Sequence, residues 1–246
     1  MKSLENRVAI VTGSSSGIGK AIAKRLAQDG ATVVINYAHS ANKAKEVVEE
    51  IERQAGKAVA IQADMSLVSE VRRLFQNTSD RLGKIDILVN NAGIAVQATI
   101  AKVTEEDYEK VFAVNVRGVL FALQEATKYI QNGGRIINVS SSTTVYPSPG
   151  LAVYAASKAA EKIFTEVLAQ EIGDRLITVN SIMPGPTIPG MFSGVDKETQ
   201  KQAAALSPFN RLGKPQDIAD VVAFLASEKA RWITGQHILV NGGATI

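Results

Sequence analysis

Seven short runs of this chain are apolar almost without interruption: Val8–Val11, Thr32–Asn36, Ala58–Gln62, Ile85–Val89, Arg135–Val139, Ile177–Ser181 and His237–Val240. A strand with one wet face alternates apolar and polar residues. A strand that stays apolar at successive positions must be covered on both faces, as in a parallel sheet layered between helices. Longer segments with helical periodicity separate the runs: Ile18–Gln28, Ala41–Gln54, Ser69–Arg81, Glu105–Tyr129, Ala152–Gln170 and Pro215–Ser227. The expected class is therefore α/β, a doubly wound parallel seven-stranded sheet with helices on both faces.

With 246 residues, 46% of them hydrophobic and 21% charged, the chain can bury one sizeable core. No Pro/Gly/Ser-rich linker divides it, so a single domain over residues 1–246 is expected. One segment breaks the rhythm. Four of the seven prolines (Pro184, Pro186, Pro189 and Pro208) lie between Met183 and Pro208, with Gly185, Gly190 and Gly194. The segment follows the sixth strand, at the sheet edge where ligands bind in open α/β folds. It reads as a substrate lid over 184–208 with a short helix near Lys197–Ala205.

Composition excludes several functions. The net charge of +3 comes without a basic stretch that could track a nucleic-acid backbone, so no nucleic-acid partner is expected. Cysteine is absent, which removes disulfides, thiolate metal sites and a thiol nucleophile. His39 and His237 are too few and too far apart for a metal centre. The apolar run after Arg7 is too short for a signal peptide, and no stretch has the length to span a membrane. A cytoplasmic protein without membrane contact is the expectation.

The first strand runs into Thr12-Gly13-Ser14-Ser15-Ser16-Gly17-Ile18-Gly19, where a helix begins. Glycines at 13, 17 and 19 let the backbone turn tightly and approach a pyrophosphate, and the helix start offers free N–H groups and a positive dipole end. Three residues separate the first two glycines, not the single residue of the common dinucleotide fingerprint, but the strand–turn–helix context at the start of the chain leads to a Rossmann-type sheet as the expectation. Lys20 follows Gly19, but no Gly-Lys-Ser/Thr sequence occurs, which argues against a nucleoside-triphosphate loop.

Tyr154 and Lys158 are four residues apart on an expected helix, hence one turn apart on one face. The pair alone is common. The serine cluster Ser140-Ser141-Ser142 at the end of the fifth strand gives it meaning. Hydride delivery to a ketone builds negative charge on oxygen, which needs an acid. A free tyrosine, with a pKa of about 10, exchanges protons poorly at neutral pH, and a neighbouring ammonium favours its phenolate. The Ser141 hydroxyl can hold the carbonyl oxygen beside Tyr154.

Taken together, Thr12-Gly-x-x-x-Gly-Ile-Gly19, Asp64, Asn90-Asn91-Ala92-Gly93, Asn115, Ser141, Tyr154-x-x-x-Lys158 and Pro184-Gly185 resemble the short-chain dehydrogenase/reductase family over almost the whole chain. The resemblance implies catalytic roles for Ser141, Tyr154, Lys158 and Asn115, the last holding a water that leads to Lys158. It places Gly13, Ser15, Ser16, Gly17, Ile18 and Gly19 at the cofactor phosphates and nicotinamide ribose. Asp64 and Met65 would meet the adenine, and Asn91, followed by Ala92 and Gly93, the adenosine ribose. Lys158 would also bond the nicotinamide ribose, and the Thr187 backbone, after Pro184 and Gly185, the carboxamide. Asn90 would brace the central strand, and Asp64 is also placed to cap a helix starting near Ser66. The family's helices matching Glu105–Tyr129 and Ala152–Gln170 pair across a two-fold axis, so a homotetramer is expected.

Two departures stand out. Pro189 occupies the place, five residues after Pro184, where family members often carry threonine. Ser16 stands where NADP-preferring members often carry a basic residue. The stretches Asn36–Ser40 and Arg211–Pro215 look like the 3-oxoacyl-(acyl carrier protein) reductases and their carbonyl-reductase relatives. An acidic residue closing the second strand would favour NAD, but Tyr37 stands there, and His39, Ser40 and Lys43 can receive a 2′-phosphate. NADP(H) is the expected cofactor, with NAD(H) possible. The expected function is reduction of a small-molecule carbonyl to an alcohol, a 3-oxoacyl thioester among the candidates. Two alternatives remain at this stage: an NAD-dependent alcohol or sugar dehydrogenase, and a dinucleotide-sensing regulator without chemistry.

Overall fold

The computed structural model describes residues 3–244. Its strands are β1 Val8–Val11, β2 Thr32–Tyr37, β3 Lys57–Gln62, β4 Ile85–Asn90, β5 Ile130–Val139, β6 Thr178–Pro184 and β7 His237–Val240. They form one parallel sheet in the order β3-β2-β1-β4-β5-β6-β7. The helices are α1 Gly17–Gln28, α2 Ala41–Glu52, α3 Val68–Leu82, α4 Glu105–Phe112, α5 Val119–Tyr129, α6 Ala152–Glu171, α7 Lys197–Ala205 and α8 Pro215–Ala226. The Rossmann-type architecture is as expected.

The apolar runs explain the layering. Successive side chains point to opposite faces of a strand. Ala9 and Val11, Val33 and Ile35, and Ile87 and Val89 pack on one side with Ile22 and Leu26 of α1 and Val222 of α8. Ile10, Val34, Leu88 and Ile136 pack on the other with Leu74 and Phe75 of α3 and Leu123 of α5. Strand order reverses between β1 and β4, so their C-terminal ends open a crevice. Thr12-Gly13 and Asn90-Asn91 stand at its mouth.

Three segments differ from the pattern-based reading. Residues Glu105–Tyr129 are not one helix: a π-helical segment, Ala113–Gly118, separates α4 from α5. Gly118 passes so close to the β3–α3 connection that a Cβ there would lie 2.3 Å from the Met65 carbonyl oxygen. The wider turns carry Asn115 inward, a frequent use of π-segments. Strand β5 begins earlier than expected because Ile130 already pairs with Ile85. The next partners are Ile87 and Arg135, so Gln131–Gly134 bulge out of the ladder. Strand β6 runs on to Pro184, paired with Leu239 and Val240 of β7.

Candidate active site

The glycine-rich turn is held from behind. The Thr12 hydroxyl accepts from the backbone N–H groups of Asn91 (2.9 Å) and Ala92 (3.0 Å). Asn91 Nδ2 donates to the carbonyls of Thr12 (2.8 Å) and Gly13 (3.1 Å). A Cβ on Gly13 would come within 2.9 Å of Ala92 Cα, and one on Gly19 within 2.5 Å of Asn91 Nδ2. Gly13 and Gly17 also have left-handed backbone angles, φ +62° and +55°. The start of α1 has no side-chain cap and no acid in its first turn. Its free N–H groups and dipole therefore suit a dinucleotide pyrophosphate.

Beside this turn, Asn36 is buried. Its Oδ1 accepts from Gly13 N (3.1 Å) and its Nδ2 donates to the Ala63 carbonyl (3.0 Å), which joins β1, β2 and β3 at the crevice. Tyr37 is half-buried, whereas His39, Ser40 and Lys43 are exposed where β2 enters α2. The Ser40 side chain makes no cap bond to that helix. Asp64 is half-buried and does not cap a helix at Ser66. Its Oδ1 accepts from Ser66 N (2.8 Å), while Glu70 reaches back to Asp64 N (2.6 Å). The helix itself starts at Val68, after these two bonds have closed the turn. The Met65 side chain lies in the core beneath α5.

Lys158, Ser141 and Asn115 lie at the ends of the strands and helices on the other side of the crevice. Lys158 is buried, and its Nζ donates to the Val139 carbonyl (2.9 Å) and to Glu161 Oε1 (2.6 Å). Burial acts to lower the Lys158 pKa, but the Glu161 carboxylate and Tyr154 outweigh it, and the net direction is upward. Ser141 Oγ accepts from Thr143 N (3.2 Å) and Thr143 Oγ1 (2.9 Å), which leaves its own proton to donate. Asn115 is fully buried. Its Oδ1 accepts from Ile94 N, and its Nδ2 donates to the Ile94 carbonyl and Ser157 Oγ, each at 2.9 Å. Ser157 in turn donates to the Tyr154 carbonyl (2.7 Å). Gly93 keeps the space between these groups open: a Cβ there would lie 3.2 Å from Lys158 Nζ and 3.4 Å from Asn115 Oδ1.

A family profile described as enoyl-(acyl carrier protein) reductase matches residues 13–245. An uncharacterised oxidoreductase of Methylorubrum extorquens is 47% identical over 246 residues, covering 99% of each chain. A short chain dehydrogenase of Passalora fulva is 41% identical, covering 98% of this chain and 95% of its own. Among solved structures, an angucycline C-6 ketoreductase, LanV, with bound NADP superposes with a TM-score of 0.94. Its identity is 41%, covering 98% of this chain and 96% of its own. The chain belongs to the short-chain dehydrogenase/reductase family. It is an oxidoreductase of the reductase type.

In this family member the connection after β6 crosses the crevice. Gly213 donates to the Pro186 carbonyl (2.9 Å) and accepts from Ile188 N (3.0 Å). That bridge turns the N–H and C=O of the intervening Thr187 to the other side. Gly185 packs against Asn241, where a Cβ would come within 2.7 Å of the Asn241 Cβ. Pro189, in a cis peptide with Ile188, brings its carbonyl to 3.7 Å from where a Gly17 Cβ would stand. The short helix of this segment is α7, Lys197–Ala205, capped by Asp196 accepting from Thr199 N (2.9 Å). Among the described residues, no helix is long and apolar enough to cross a membrane.

Three residues around the site were not singled out from sequence: Thr143, Ser157 and Glu161. Glu161 carried a legible signal. An acid three residues after Lys158 falls on the buried face of α6, in line with Thr165 and Leu168.

Proposed function

We propose that this reductase transfers hydride from NADPH to a ketone carbon, with Tyr154 protonating the carbonyl oxygen. The observation that supports this reading is the buried Lys158 ammonium, one turn along α6 from Tyr154 and bonded to the Val139 carbonyl at the end of β5, two residues before Ser141. When bound, the dinucleotide supplies the hydride. Everything else is done by the chain. The N–H groups of Gly17, Ile18 and Gly19 receive the phosphates, and Ser15, Ser16, Asn91, Ala92 and Gly93 wall the ribose side. Asp64 and Met65 border the adenine end, and Pro184, Gly185 and the outward-facing Thr187 backbone border the carboxamide. The free Ser141 proton orients the substrate oxygen, and Tyr154 gives its proton to that oxygen as negative charge develops. Lys158 holds positive charge beneath Tyr154, and Asn115 fixes the Ile94 backbone and the Tyr154 turn of α6.

NADP(H) is favoured because no acid closes β2 to repel a 2′-phosphate, and Ser40, His39 and Lys43 stand exposed there. The NADP bound to LanV supports the same choice. A small cyclic or aromatic ketone is the preferred substrate class, by analogy with the angucycline ketone named for LanV; a 3-oxoacyl thioester is the second candidate. The 184–208 segment serves as the lid over the single domain's site. A homotetramer is also proposed, because Ile163 and Val167 of α6 and Leu120 of α5 leave an apolar surface exposed. Light scattering at micromolar concentration tests it, and a monomer mass would refute it.

The test of function is NADPH consumption with aryl and polycyclic ketones, acetoacetyl thioesters and sugars, for wild type and Tyr154→Phe. Turnover on a ketone that falls at least ~10²-fold in Tyr154→Phe, with NADPH still bound, is the expected result. Near-normal turnover in that variant would remove Tyr154 as the donor. No turnover by wild type on any carbonyl would favour a sensor.

A further inference from the structure

The proposed chemistry makes no use of Glu161, the buried carboxylate of α6. It has no accessible surface, and its Oε1 accepts from Lys158 Nζ at 2.6 Å. Its Oε2 has no partner. Two of the three Lys158 protons are thereby directed inward, to Glu161 and to the Val139 carbonyl. Taking a carboxylate out of water is costly, and an apolar side chain could fill the same position without that penalty. Its effect must be sought in what it does to Lys158.

We propose that Glu161 is a positioning residue that fixes the inner side of the Lys158 ammonium and offsets its charge beneath Tyr154, biasing the site toward proton donation. The inference rests on the reading of Tyr154 as the proton donor. With Glu161 ionised, the pair is neutral, and the phenol beside it keeps its proton to higher pH. With Glu161 protonated, the pair carries one positive charge, which favours the phenolate. No atom beyond those of the proposed reaction is exchanged: the hydride adds to carbon, the Tyr154 proton to oxygen, and Glu161 changes only the field.

The two groups titrate unequally. Burial pushes the Glu161 carboxyl up to about 7, against the opposing pull of Lys158. Lys158 itself is held above its ordinary range, with the Glu161 carboxylate and Tyr154 outweighing its burial. The pair therefore changes charge near neutrality at Glu161 while Lys158 stays protonated. Lys158 is the charge acting on Glu161, and Glu161 and Tyr154 are those acting on Lys158. The groups facing Lys158 from neighbouring elements are uncharged: the Val139 carbonyl of β5, Asn115 of the π-helical segment and Gly93 after β4.

Glu161→Gln keeps the shape and removes the charge. The measurement is kcat/KM against pH for ketone reduction and for alcohol oxidation. The basic limb of reduction and the acidic limb of oxidation should both move to lower pH, by about one unit for a single charge at this range. Profiles that superimpose on wild type after scaling by one factor would overturn the proposal, because a merely structural residue changes height and not position. If Glu161→Gln does not fold, the infrared carboxyl band of the wild-type protein decides. A protonated-carboxyl band that fades as pH rises is expected, and one that persists to about pH 9 overturns the proposal, because a neutral Glu161 offsets no charge. Tyr154→Phe separates the two claims: an inactive variant with unmoved Glu161→Gln limbs defeats this inference alone, whereas an active one defeats the reading beneath it.

Discussion

Replacing Asn115 by alanine should destabilise the protein measurably. Asn115 is fully buried and makes three hydrogen bonds, two to the Ile94 backbone and one to Ser157. Ser157 keeps its own bond to the Tyr154 carbonyl, so it is not orphaned. The Ile94 N–H and C=O lose their partners, and Ile94 is half-buried, so water reaches them only in part. At roughly 1 kcal/mol for each half-shielded group, plus about 1 kcal/mol for the space vacated, the loss is about 3 kcal/mol. For a chain of this length about 3 kcal/mol lowers the Tm by roughly 6–12 °C. Thermal unfolding followed by circular dichroism reads that shift. Turnover should fall as well, since the π-helical segment would lose its tie to α6 and to the chain entering the crevice. A Tm within about 2 °C of wild type would show that Ile94 is satisfied by water and that Asn115 does not hold the segment.

Other outcomes follow from the same geometry. Gly19→Ala puts a Cβ 2.5 Å from Asn91 Nδ2 and 2.6 Å from the Gly13 carbonyl oxygen; dinucleotide affinity by calorimetry should fall more than tenfold, and unchanged affinity would remove the turn from the phosphate site. Burial raises Glu161 from 4.5 to about 7, so between those values the folded chain holds a proton that the unfolded chain has released. Stability should fall as pH rises through that window and level off above it, and denaturant titrations of Glu161→Gln should lack the slope. The ratio of kcat/KM with NADPH to that with NADH should exceed one, and His39→Ala should lower it if His39 meets the 2′-phosphate. A ratio below one in the wild type overturns the preference, and a ratio retained in His39→Ala transfers the role to Lys43.

The sheet was legible because its signal is dense: a strand buried on both faces declares itself at every position, and Ile10 and Val11 face different cores yet are both apolar. The break in the long helix was not legible. Glu105–Tyr129 keeps helical periodicity throughout, and the approach of Gly118 to Met65 at the end of the π-helical segment is a contact between distant parts of the chain. The early start of β5 was hidden likewise, because Gln131-Asn132-Gly133-Gly134 has the composition of a turn but is a bulge within the strand, whose ladder resumes after it. At the site, the hydroxyls and amides could be named from motif spacing, but their direction could not. That Ser141 accepts twice from Thr143, and so retains a proton to give, depends on the short 3₁₀ turn after β5.

The polar residues at the C-terminal ends of the central strands form a connected support rather than a set of separate contacts. Asn90 of β4 donates to Asn138 of β5 (2.8 Å), Asn138 to Thr165 of α6 (2.8 Å), and Thr165 to the Glu161 carbonyl (2.8 Å). Ser140 donates to the Lys158 carbonyl (2.8 Å) one turn earlier on the same helix. Burial of apolar area is non-directional, so packing fixes the position of α6 less sharply than directed bonds do. Directed bonds at Lys158, Glu161 and Thr165 sharpen it, and a shift of one ångström would break several at once. The unpartnered Asn90 Oδ1 and Glu161 Oε2 show that the seam is not optimal for stability. Its gain is placement: Lys158 is held at a fixed height at the end of β5, one turn along α6 from Tyr154, the proposed proton donor.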